Sequence, residues 1–215
     1  MIDVIDYRAG NAPSVVYALE HLGIPCRLTG TPETLAGAER IVLPGVGAAR
    51  ATIDSLEDQS LVGTLRERVL GDGVPFLGIC IGLQVLFDHS EEGDVDGLGF
   101  VPGRVRRFPA TDRVPQIGWN AVRFTREHPV TAGLPEQGHF YFVNSYYCVP
   151  DSPADALGLT EYSVEFCSVV ARGNVLATQF HAEKSGELGL SLLRNFATWD
   201  GRSDGRPDGR EQSGS

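Results

Sequence analysis

Short apolar runs alternate with amphipathic stretches through the first half of the chain, the pattern of βαβ units around a mostly parallel sheet. IDVIDY (2–7) predicts a strand. PSVVYALEHLG sets Val15, Val16, Leu19 and Leu22 on one helical face, with Pro13 suited to the first turn and Gly23 to the stop. CRLTG predicts a second strand, PETLAGA a short helix, and RIVLPG (40–45) a third strand running into a glycine turn. ATIDSLEDQ and LVGTLRERVLGDG predict helical turns. VPFLGI (74–79) is an unbroken apolar run, as a central strand covered on both faces requires, and IGLQVLFDHS predicts the helix after it.

The second half changes character. VRRF, AVRFT, HFYFVNSYYCV, FCSVVA and NVLATQF are β-rich segments punctuated by Pro and Gly, with RGN (172–174) marking a tight hairpin. They predict antiparallel strands that extend or flank the sheet. GELGLSLLRNFATW sets Leu188, Leu192, Phe196 and Trp199 at helical spacing, a last helix packed back on the sheet. From Gly201 onward, GRSDGRPDGREQSGS has no large apolar side chain to offset the entropy of ordering. The expectation is one globular domain over 1–200 and a disordered tail over 201–215.

Composition narrows the class. The chain has 215 residues, 42% of them apolar, and at that length roughly 70% of the unfolded surface is buried, so folding needs neither disulfides nor metal. Cys26, Cys80, Cys148 and Cys167 show neither CxxC pairing nor an accompanying His cluster, which argues against zinc and predicts reduced thiols in a cytoplasm. No signal-peptide pattern opens the chain, and no apolar run is long enough to span a membrane. With 28 acidic against 18 basic residues, the net charge of −10 disfavours a nucleic-acid or anionic-membrane partner.

GICIG (78–82), placed where a buried strand turns into a helix, is a cysteine version of the GxSxG nucleophile elbow. The glycines let strand and helix approach, and the tight turn lifts Cys80 out of the sheet. A thiol nucleophile needs a base and a group to orient that base. QFHAEKS supplies His181 and Glu183, which share a side if the strand continues through them. His21, His89, His128 and His139 read as helix or loop residues without such a carboxylate. PGVG (44–47), at the carboxyl end of the third strand, offers a turn whose backbone at Gly45 and Val46, with the Ile81 amide, forms a candidate oxyanion hole.

PGVG, GICIGLQ and QFHAEKS in this order resemble the class I glutamine amidotransferases, over residues 1 to about 200. IDYRAGN, PQIGWN (115–120) and FYFVNSYY (140–147) narrow the resemblance to the free-standing glutaminase subunits of histidine biosynthesis. The resemblance implies a three-layer α/β/α, flavodoxin-like fold, with a mostly parallel central sheet and added antiparallel strands in the second half. It implies a Cys80–His181–Glu183 triad that releases ammonia from glutamine without cofactor or metal. It further implies that Gln84 and Glu92 bind the α-amino and carboxylate groups of glutamine, with backbone at Gly47, Ser145 and Tyr146. Trp119, Asn120 and Lys184 are implied to meet a (βα)8-barrel cyclase partner, which receives the ammonia. The chain departs from the family pattern at Arg8 for glycine, Asn144 for histidine and Ala182 for proline, with Arg8 expected near the mouth of the site. An anthranilate synthase-type glutaminase, a cysteine hydrolase of similar fold and a catalytically idle binding subunit remain open alternatives.

Overall fold

The computed structural model describes residues 1–8 and 11–202. Ala9 and Gly10 of IDYRAGN, and residues 203–215 of the expected tail, lie outside the described residues. Gly201 and Arg202 are tied to the body, because Trp199 Nε1 donates to the Arg202 carbonyl at 2.7 Å.

Strand β1 (Ile2–Ile5) lies between β2 (Cys26–Thr29) and β3 (Ile41–Leu43), and β4 (Phe76–Ile79) follows beside β3, all parallel. Two-residue strands β5 (His89–Ser90) and β6 (Val95–Asp96) come next. The chain continues through β7 (Gly103–Arg107), β8 (Gln116–Phe124), β9 (Gln137–Asn144), β10 (Tyr146–Pro150), β11 (Ala156–Tyr162) and β12 (Val164–Arg172). Finally β13 (Val175–Thr178) returns to pair in parallel with β4. The centre therefore reads β2-β1-β3-β4-β13, and β12, antiparallel to β13 across the Gly173–Asn174 turn, opens the antiparallel half.

Alternation along the central strands sorts their side chains into two cores. Ile2, Val4, Val42, Leu77, Ile79 and Leu176 pack with Val15 and Leu19 of α1 (Ala12–His21). Ile5, Ile41, Leu43, Phe76 and Val175 pack on the other face with Leu35 of α2 (Pro32–Leu35), Ile53 and Leu56 of α3 (Ala49–Asp58) and Leu61 and Leu65 of α4 (Leu61–Arg66). After the short α5 (Ile81–Gln84), the closing α6 (Gly186–Thr198) returns to the first face through Leu192, Leu193 and Phe196. Covered on both sides, the central strands carry the continuous apolar runs seen in the sequence.

Two segments differ from the pattern-based expectation. The helix expected over IGLQVLFDHS stops at Gln84, because the carbonyls that would continue it are captured from outside. Leu98 N–H donates to Val85 O at 2.7 Å and Phe100 N–H to Leu86 O at 2.8 Å, after which His89–Ser90 forms strand. HFYFVNSYYCV is two strands rather than one. The chain breaks at Ser145, whose carbonyl accepts from Phe108 N–H, so β9 pairs with β8 while β10 pairs with β7 and β12. Both interruptions are tertiary in origin, and both place backbone around one end of β4.

Candidate active site

Cys80 follows β4 directly, with φ 57° and ψ −107°, a backbone state that non-glycine residues rarely adopt. Its N–H donates to Thr178 O on the neighbouring strand at 2.7 Å. The two glycines of GICIG are there for space. A Cβ at Gly82 would lie 2.0 Å from Leu43 O, and one at Gly78 2.5 Å from Gly82 O. Strand and helix can therefore touch only without side chains at these positions. Ile81 begins α5, where a helical N–H has no intrahelical acceptor.

His181 arrives from the end of β13. That strand ends at Thr178, paired with Ile79, so the residues just beyond both strands emerge side by side. His181 is pinned by its backbone: its N–H donates to Tyr141 O at 3.0 Å, and its carbonyl accepts from Ser185 Oγ at 2.6 Å, which itself accepts from Tyr141 N–H at 3.0 Å. The expectation that strand alternation aligns His181 with Glu183 is corrected here. The strand has already ended, and a 3₁₀ turn, Ala182–Lys184, folds Glu183 back so that its Oε1 meets His181 Nδ1 at 2.8 Å. Asn11 Nδ2 also donates to Glu183 Oε1, at 3.5 Å. With Nδ1 engaged, Nε2 is the nitrogen left for the hydrogen bond to Cys80. Burial opposes the imidazolium, but the hydrogen bonds and negative charges of Cys80 and Glu183 outweigh it and raise the His181 pKa to about 10.

A cavity of about 230 Å³ opens over the sulfur, lined by Cys80, Ile81 and His181 together with Val46, Gly47, Gln84, Glu92, Ser145 and Tyr146. It thus gathers all the sequence-predicted glutamine-binding positions. Gly45 lies beneath, so close to Ile81 that an added Cβ would fall 1.7 Å from Ile81 Cγ2. Gln84, 4% exposed, donates its Nε2 to Tyr146 O (3.3 Å) and to Gln179 Oε1 (3.0 Å), while its Oε1 has no hydrogen-bond partner. Burial raises the Glu92 pKa, against the pull of the Ala49 N–H that its Oε2 accepts at 2.8 Å.

The three positions implied to meet a partner fall outside the cavity. Trp119 is 57% exposed and stands edge-on to Tyr141; Ile117 and Val143 are exposed beside it, and Val143 also lines the cavity. Lys184 is exposed. Asn120 is half-buried and internally committed, donating to Glu161 O and accepting from Ala121 N–H.

Sequence reasoning passed over several residues of the site. Gln179, inside the quoted QFHAEKS, is fully buried with Nε2 3.8 Å from Cys80 Sγ. Val143 O lies 3.9 Å from the same sulfur, and Pro115 and Asn144 line the cavity. Asn11 was legible within IDYRAGN, whereas the Val143 carbonyl carries no side-chain signal. His89 and His139 stand on strands rather than in helix or loop, and neither lines the cavity.

A family model for glutamine amidotransferase class-I matches residues 3–198. The chain belongs to the class I glutamine amidotransferases. It is 45% identical, over 91% of its length and 96% of the relative's, to imidazole glycerol phosphate synthase subunit HisH of Dehalococcoides mccartyi. To the protein of that name from Geobacillus kaustophilus it is 46% identical, over 97% and 100%. Among solved structures, a glutamine amidotransferase (TM-score 0.72, 21% identity, 91% of this chain and 96% of that one) and PurLQS from Thermotoga maritima (0.70, 18%, 91% and 96%) share its fold.

This amidotransferase accommodates its departures from the family pattern locally. Arg8 keeps a left-handed backbone, φ 66°, suited to glycine. It is not among the residues that line the cavity over Cys80. It lines a separate cleft with Thr31, Glu33 and Asp58. Asn144 is 5% exposed and donates to Tyr146 O at 2.9 Å. Ala182 opens the 3₁₀ turn without loss of the His181–Glu183 contact.

Two outcomes follow from this geometry. Gly82→Ala forces backbone apart at the elbow and should destabilise the fold by about 3 kcal/mol, read as a fall in Tm of roughly 6–12 °C. An unchanged Tm would mean the contact is not as tight as described. In Cys80→Ala the sulfur's contributions to His181 vanish, so its NMR titration midpoint should fall from about 10 toward the ordinary 6.5. A midpoint still near 10 would show that the coupling is absent.

Proposed function

We propose that this chain is the glutaminase subunit of an imidazole glycerol phosphate synthase, hydrolysing glutamine and passing ammonia to a (βα)8 cyclase. The observation that carries the reading is the line Cys80–His181–Glu183 at the floor of a cavity small enough for an amino acid. In the reaction, the Cys80 sulfur attacks the carboxamide carbon of glutamine. The oxyanion that forms faces the Ile81 amide and the Gly45–Val46 turn. His181 hands a proton to the departing ammonia, leaving a γ-glutamyl thioester. Water, deprotonated by His181, then releases glutamate and restores the thiol. Glu183 keeps the imidazole aligned throughout.

The cavity wall suits the other end of the substrate. Gln84 has spent both amide hydrogens and presents an oxygen, and Glu92 presents a carboxylate, so both are acceptors. Acceptors suit the α-ammonium. The sequence-based pairing of one of the two with the α-carboxylate is therefore revised, and the carboxylate falls to backbone at Gly47, Ser145 and Tyr146. The exposed face of Ile117, Trp119, Val143 and Lys184, continuous with the cavity rim, is the side for the cyclase. The lyase step belongs to that partner, a cytoplasmic setting to both subunits, and neither nucleic acid nor membrane has a part.

Mixed with the barrel cyclase and its ribulosyl phosphate ligand, the chain should turn glutamine into glutamate faster than alone, and Cys80→Ala should lose at least about 1,000-fold of that activity. Glutamate production that survives the substitution would remove the reading. Trp119→Ala should weaken cyclase binding about tenfold or more, as loss of a central aromatic anchor does, measured by titration calorimetry. An unchanged Kd would place the interface elsewhere.

A further inference from the structure

Gln179 sits between the end of β13 and His181, with no surface exposed. Its side-chain amide spans two parts of the site. Nε2 is a donor 3.8 Å from Cys80 Sγ, and Oε1 accepts from Gln84 Nε2 at 3.0 Å. The two ends of an amide differ only in donor and acceptor character, so the surroundings must decide its orientation. They do. Gln84 directs one amide hydrogen to the Tyr146 carbonyl at 3.3 Å, which can only accept, and this fixes the nitrogen of Gln84. Its second hydrogen then requires the oxygen of Gln179, which turns the Gln179 NH2 to the sulfur. The same chain of reasoning leaves Gln84 Oε1 as the buried acceptor in the cavity wall.

We propose that Gln179 is a positioning residue for both halves of the reaction: its NH2 group stabilises the sulfur of Cys80 as an anion, and its carbonyl locks Gln84 with an acceptor turned to the substrate's ammonium. The inference rests on the glutaminase reading above and deepens it. It supplies a charge-assisted donor from the strand side, opposite in role to His181, which supplies and receives a proton. It also makes one buried side chain couple nucleophile to substrate recognition, so that a change at 179 is felt in both.

The titratable groups around the sulfur are His181 with Glu183 behind it, Tyr7 from the end of β1, Cys148 from β10 and Glu92 across the cavity. Burial pushes the Tyr7 phenol up to about 12 and the Cys148 thiol well above its usual value, so both stay neutral near pH 7. None of them is altered by substitution at 179.

The test uses the full chain, alone for alkylation by iodoacetamide and with the cyclase for turnover. Gln179→Leu removes both hydrogen bonds; the pH midpoint of Cys80 alkylation should rise by about one unit, roughly tenfold slower reaction below it, and KM for glutamine should rise about fivefold or more. Gln179→Glu keeps an oxygen for Gln84 but sets a negative charge by the sulfur. Its alkylation midpoint should rise at least as far, with KM within about twofold of wild type. Midpoints that coincide with wild type in a variant folded by circular dichroism, or a KM raised equally in both variants, would overturn the proposal. The unsubstituted protein gives a readout free of folding defects: the Gln179 side-chain NH2 resonances should move through the alkylation midpoint, and resonances that stay fixed overturn it too. A wild-type chain that hydrolyses no glutamine would instead remove the underlying glutaminase reading.

Discussion

The pairing of β13 with β4 is the constraint on which the rest of the structure depends. Parallel register sets Thr178 opposite Ile79, so two strands far apart in sequence end at the same height and point the same way. Cys80 is the first residue beyond one end, and His181 lies three beyond the other. Open α/β sheets place their chemistry at such carboxyl edges because the loops there diverge and leave room. Here the room is furnished by the strand break at Ser145, which brings the β9–β10 corner over the sulfur. A one-residue slip of β13 would turn its side chains to the opposite face and separate His181 from Cys80. With β13 buried on both faces and tied to β12 by a tight turn, the packing gives that slip no alternative minimum.

Magnitudes show what holds Cys80 in place. A non-glycine residue in a rarely populated backbone state costs about 1–3 kcal/mol. The Cys80 N–H bond to Thr178 O, at a net worth of about 1 kcal/mol, does not offset that alone. The difference comes from the close approach of α5 to β3 and β4 through Gly78 and Gly82, which leaves the chain no other route. Strain at the elbow is thus maintained by packing around it, and the glycines matter for the volume they omit more than for their own flexibility.

The fold was legible where local pattern and tertiary environment agree. Unbroken apolar runs at β3, β4 and β13, and the 3.6-residue spacing in α1 and α6, reflect burial that the structure supplies. Reading failed where a distant segment overrides local preference. Val85–Phe87 are helical by pattern, yet residues 98–100 take their carbonyls. Similarly, β11 alternates too weakly for its strand to be seen without β12 and β8 beside it. At the site, Cys80, His181 and Glu183 were visible because motif and chemistry coincide, although the reason given for the alignment of His181 and Glu183 was wrong. Gln179 was hidden because its meaning lies entirely in its partners. A glutamine one residue past a strand carries no sign that its two ends face a sulfur and another amide.

On the proposed reading, the amides also give the cavity a means to discriminate. A buried acceptor with no donor is costly, by about 1–3 kcal/mol, and binding a group that supplies the donor recovers that cost. Gln84 Oε1 is such an acceptor, and the half-buried carboxylate of Glu92, which accepts from Ala49 N–H in the first turn of α3, lines the same cavity. A ligand with an ammonium group satisfies both, whereas one ending in a neutral or anionic group leaves them unpaired or repelled. Specificity for an amino acid side-chain amide then needs no pocket shaped around the amide itself. On the proposed reading, the separation of the acceptor wall from the sulfur selects the length of the substrate, and Cys80 meets only what the wall has already accepted.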